Sequence, residues 1–121
     1  MSYTNAAKDA AVNAIRALLT SNQGFVSMHT ADPGTTGASE ATGTTYARGS
    51  TTFPAASGGT GSTGGQATVT ARTGSTTAAT HVGIWTASTG GTFICGIPLS
   101  TTENFSTAGG TLLYTPTLSA S

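Results

Sequence analysis

Apolar residues in the first 24 positions recur at helical spacing. In "YTNAAKDAAVNAIRALLTSNQG", Ala7, Ala11, Ala14, Ile15, Leu18 and Leu19 fall at i, i+3 and i+4, which predicts one helix over residues 4–22 with a single apolar stripe. Thr4 or Asn5 can cap its start, and Asn22 and Gly24 can provide a left-handed stop. Asp9 and Arg16 sit at the ends that the helix dipole favours for their charges.

From Phe25 onward the period is two. "FVSMHT" (25–30) puts Phe25, Ser27 and His29 on one face and Val26, Met28 and Thr30 on the other. Further strands are expected at 44–53, 66–73, 79–87, 92–100 and 111–120. The "STGG" between the fourth and fifth of these six reads as a hairpin turn. The stretch 54–65, "PAASGGTGSTGG", reads as a flexible surface loop, too poor in apolar groups to bury. The whole predicts one domain over 1–121, with a β domain at 25–120. The fold class is mainly β: a small β-sandwich or barrel with one N-terminal α-helix.

Composition adds one unusual number. Charged residues make up 7% of the 121 positions, against about 25% in ordinary soluble domains. The formal net charge is zero, so colloidal repulsion is weak and much of the surface is expected to lie against partner subunits. Disorder is the competing reading, but the Thr, Val, Ile and aromatic residues fall in short strand-like runs. Four scattered Lys and Arg residues argue against nucleic-acid binding. No apolar run approaches the ~20 residues that span a bilayer. "MSYTNAAKDAA" has neither the basic n-region nor the apolar h-region of a secretory signal.

The chemistry-bearing residues gather in "HTADPGTTGASEATGTTYAR" (29–48), which holds Asp32, Glu40 and Arg48. As an active site it lacks a nucleophile with an adjacent base. Cys95 sits in apolar "FICGI" and reads as a buried, inert thiol that can form no internal disulfide. His29 and Asp32, with His81 elsewhere, match no metal-ligand spacing, and no cofactor is expected. "GTTGASEATG" lacks the Lys-Ser/Thr of a phosphate loop. The segment reads instead as a structural clip: Asp32 forms a turn before Pro33, and Glu40 pairs with Arg48 to fold the loop back. Trp85 reads first as a core aromatic; Tyr46 and Trp85 are the aromatics that could face a ligand.

The segment 29–48, followed by "THVGIWTASTGGTF" (80–93), resembles a family of small virion proteins of tailed bacteriophages with an H-[ST]-x-D-P-G-x-T-G-x-x-E-x-x-G-x-x-Y-x-R segment and a later H-[VI]-G-[LI]-W-x-A-x-x-G-G-x-F segment. The 54–65 loop is longer and richer in Gly than the resemblance implies. It implies a non-enzymatic accessory structural protein, made in the host cytoplasm and carried on the particle surface. No catalytic residue, membrane or nucleic acid comes with it. Its partners would be other virion proteins, either the major capsid protein or tail proteins. Lacking a shaft or coiled coil, the chain is expected to decorate the capsid. The alternatives are a minor tail or tail-fibre subunit and a β-sandwich module binding host glycan. A homo-oligomer is expected, a trimer favoured, with Ile15, Leu18 and Leu19 as the assembly surface.

Overall fold

The computed structural model describes residues 1–120; Ser121, the last position of the expected domain, lies outside them. The chain is mainly β, with one helix and antiparallel sheets. Helix α1 spans Asn5–Arg16, and Thr4 caps it by accepting from the Ala7 N–H at 3.2 Å. It ends six residues short of the expected boundary. A short 3-10 turn follows at Thr20–Asn22, where Ser21 and Asn22 take positive φ (54° and 58°) and turn the chain. Gly24 is no part of that stop: it lies in β1 with its missing side chain against Phe53 and Ile84.

The strands are β1 (Gln23–His29), β2 (Gly49–Thr52), β3 (Ser62–Thr63), β4 (Ala67–Ala71), β5 (Thr77–Trp85), β6 (Phe93–Phe105), β7 (Gly110–Tyr114) and β8 (Thr117–Leu118). They form a four-stranded sheet in the order β2-β1-β5-β6 and two ribbons, β3-β8 and β4-β7. Register puts Val26 beside Ile84 and Met28 beside Val82, all fully buried on one face. Against that face pack Val12 and Leu19 from the helical region, Phe53 just after β2, Val69 and Ala71 from β4, and Leu112 and Leu118 from β7 and β8. The other face carries Ser27, His29, Gly83 and Trp85. No helix among the described residues is long and apolar enough to cross a membrane.

Three segments differ from the sequence reading. Residues 44–53 give a strand only at β2, preceded by an isolated Ala47–Thr70 bridge. Residues 111–120 break into β7 and β8 on either side of Thr115-Pro116, because proline has no N–H for a ladder. The 54–65 stretch is tied down at several points. Asp9 accepts from the Gly59 N–H (2.9 Å), Asn13 from the Ala56 N–H (3.0 Å), and Arg16 donates to the Phe53 carbonyl (3.0 Å). Its end supplies β3. The helix therefore turns polar side chains inward, and its buried line is Val12 and Leu19 with Ile15 beside them; Ala7, Ala11, Ala14 and Leu18 are exposed.

Candidate functional site: the loop over the sheet

Ahead of β2 in the chain, residues 39–41 lie along the same edge of β1 that β2 pairs with. Ala41 N–H donates to the Met28 carbonyl (2.8 Å), Thr30 N–H to the Ser39 carbonyl (3.0 Å), and Glu40 bridges His29. The Glu40 side chain therefore shares the sheet face of His29 and Trp85. Before it, residues 32–38 lie across that face. Asp32 accepts from the Gly34 N–H at 2.9 Å, and the Pro33 carbonyl accepts from the Gly37 and Ala38 N–H groups, both at 3.1 Å.

Close approach is what lets the loop lie flat. A Cβ on Gly96 would collide with the Pro33 ring, and one on Gly37 would sit 2.6 Å from the Trp85 ring. Gly37 also has φ 77°, a conformation other residues rarely adopt.

Arg48 closes the arrangement. Its Nε and Nη2 donate to the two carboxylate oxygens of Glu40, each at 2.8 Å, and its Nη1 donates to the carbonyls of Ala87 (2.8 Å) and Gly90 (2.9 Å). The guanidinium stacks 4.0 Å from the centroid of the Trp85 ring. Tyr46 donates to Glu40 at 2.8 Å and accepts from the Met28 N–H at 3.0 Å. The Arg48 side chain is 6% exposed and that of Glu40 19%, so water competes little for these bonds.

A second chain of bonds runs beneath. Trp85 Nε1 donates to Ser27 Oγ (2.8 Å). Ser27 Oγ lies 2.7 Å from His29 Nε2, and His29 Nδ1 lies 2.7 Å from the Ala38 carbonyl. A carbonyl only accepts, so Nδ1 carries the proton and Nε2 accepts from the Ser27 hydroxyl. Phe93 packs edge-on against Trp85, centroids 5.1 Å apart.

The electrostatics follow. Burial pushes the His29 pKa below its ordinary 6.5, outweighing the opposite pull of the Ala38 carbonyl and Glu40. Burial alone would raise the Glu40 carboxyl; the bonds from Arg48 and Tyr46 outweigh it and hold the group below its ordinary range. Burial, then the bond given to Glu40, raises the Tyr46 phenol. Burial also pushes up the Cys95 thiol.

These positions decide what the residues can do. Cys95 pairs with Ile84 and so points to the core face, away from His29. Both oxygens of Glu40 are occupied. A cleft of about 370 Å³ beside it is bordered by the Ser88 and Thr89 residues, with no histidine among its lining. Asp32 serves its own turn, apart from the Glu40–Arg48 pair. Trp85, named above as an aromatic that could face a ligand, has one ring face on Arg48, packs at 65° to the Phe93 ring and donates its N–H to Ser27. Tyr46 borders the cleft, but its hydroxyl is engaged on both sides. Leu19, expected on the assembly surface, is 5% exposed and belongs to the core. The sequence reading missed Ser27, Ala38 and the 87–90 turn as members; Arg48's long reach to backbone carbonyls leaves no mark in the sequence.

No curated protein matches the chain. A family model described as "Podophage GP4 fiber I protein gp80" matches residues 2–121. That agrees with the resemblance to phage virion structural proteins, and of its finer readings it favours the tail-fibre alternative over capsid decoration. A match over nearly the whole chain, on a fold built to hold a loop in place, establishes that the chain belongs to this podophage fibre protein family.

Proposed function

We propose that the chain is a non-enzymatic structural subunit of a podophage tail fibre, held on the virion by contacts with other virion proteins. The observation that carries this reading is the fibre-family match over residues 2–121. The use of the polar side chains supports it. Glu40, Arg48, Tyr46, His29 and Trp85 all bond within the fold, and none is left poised as nucleophile or base.

The test is stoichiometry in purified virions. Quantitative mass spectrometry should give a copy number far below that of the major capsid protein. A copy number matching the capsid lattice would overturn the fibre reading. Purified protein should also hydrolyse esterase, glycosidase and peptidase substrates at background rates; activity abolished by Cys95→Ala or His29→Ala would contradict the structural role.

A further inference from the structure

Arg72 stands just past the end of β4, and the fold uses only part of its guanidinium. Nη1 donates to the Thr42 carbonyl at 3.3 Å, and Nη2 donates to the Ser75 hydroxyl. The Nε–H is buried and has no acceptor, the one such side-chain atom among the described residues. No carboxylate among them pairs with Arg72, since the one ion pair there is Glu40–Arg48. Native folds leave few buried donors without a partner, and a charged one is the most costly. The group is nonetheless held in position. Its stem lies against Gly43, where a Cβ would come within 2.8 Å of the Arg72 Cδ.

Arg72 borders a cleft of about 280 Å³ whose other polar walls are Thr30, Glu40, Thr42, Thr76 and Thr77. Thr77 is only 6% exposed, yet its hydroxyl makes no hydrogen bond among the described residues, and that oxygen is not sealed from solvent as Arg72 Nε is.

We propose that this cleft binds a carboxylate group, with Arg72 as its charged partner and the Thr77 hydroxyl as a second donor. Charge selects the ligand. Glu40 reaches the cleft with both oxygens bonded, and Arg48 balances its charge. Arg72 is then the uncompensated charge, and a single negative charge balances it. A doubly charged phosphate would leave one charge facing Glu40. Shape selects the same group. Nε and Nη2 form a planar fork that matches the two oxygens of a carboxylate. The Ser75 hydroxyl stands on Nη2 and covers the fork, and one χ1 rotation clears it. The carboxylate comes from a free small acid or from an acidic side chain of an adjoining virion protein; the chemistry at Arg72 is the same. The site stands on Arg72 and its neighbours, wherever in the virion the chain sits.

The experiment is an NMR titration of the isotope-labelled full chain, with sodium acetate replacing sodium chloride at constant ionic strength. The Arg72 Nε–H and the Thr77 and Ala78 amides should shift saturably, with a Kd on the order of 10 mM. Arg72→Lys keeps the charge without the fork and should weaken binding roughly tenfold. Thr77→Val keeps the volume without the hydroxyl and should weaken it about fivefold. Ser75→Ala uncovers the fork and should tighten it. Circular dichroism checks that each variant is folded. In virions, lost occupancy of a folded Arg72→Gln chain marks the carboxylate as a neighbour's side chain, and full occupancy marks it as a free acid; either supports the site. Shifts that grow linearly with acetate, equal shifts from chloride, or a Kd unchanged by both Arg72→Lys and Thr77→Val would overturn the proposal.

Discussion

Arg48 ties three separate parts of the chain together: the Glu40 carboxylate, the 87–90 turn and the Trp85 ring. Glu40→Ala would leave the guanidinium without its counter-charge, and Arg48→Ala would leave the carboxylate so. Each should cost about 2–3 kcal/mol, because a poorly hydrated charge loses its partner. The double variant should cost less than the sum of the two; strict additivity in urea unfolding would mean the pair is not coupled. Arg48→Lys should restore little, since an ammonium cannot grip a carboxylate with two bonds and reach two carbonyls as well. His29 adds a pH dependence. Its native pKa lies below 6.5, so as pH falls through 6.5 the unfolded chain takes up a proton that the native chain refuses. Stability is therefore full above about 6.5 and falls below it, down to the native pKa. Glu40, lowered in the fold, adds a second loss at more acid pH as it protonates. Urea midpoints from pH 8 to 5 should decline, and His29→Gln should flatten the upper part of that decline. A flat wild-type profile would contradict the buried neutral imidazole.

At the scale of elements, some of the fold was legible and some was not, for identifiable reasons. The β5-β6 hairpin could be read because Gly90 and Gly91 supply the positive φ its turn needs, 61° and 77°. The alternation in β1 could be read because one face is core and the other carries the loop. The helix's buried side could not. Alanines carry too little area to set a face, and the inward side is held by Asp9, Asn13 and Arg16, whose partners are backbone groups far along the chain. β3 was invisible because a two-residue pairing rests on backbone bonds and shows no side-chain pattern. Asn13 is the test of this layer. Its side-chain oxygen accepts from both Arg16 and the Ala56 N–H, at 2.9 and 3.0 Å. Asn13→Ala should destabilise by about 1–2 kcal/mol and speed amide exchange at Ala56. Unchanged exchange there would mean that the 54–65 segment holds its shape without the helix. Gly96→Ala should cost about 1–3 kcal/mol by lifting Pro33 from the sheet.

For the whole molecule, charge is the organising fact. Of the eight charged side chains, Asp9, Arg16, Glu40, Arg48 and Arg72 are bonded to distant parts of the chain. What is left outside is a nearly neutral surface with an apolar groove, suited to assembly rather than to free diffusion. The sequence pointed to a phage structural protein, and the family match agrees at that level. Between capsid and fibre it leaned to the capsid, whereas the family match favours the fibre. The absence of a shaft describes one subunit, and a fibre's length comes from how subunits join, which periodicity within a short chain does not encode. A reconstruction of the virion to side-chain detail would show where the chain sits in the particle. Density for the α1 helix and the four-stranded sheet should appear within a fibre. The same fold seated on the capsid faces would overturn the fibre reading.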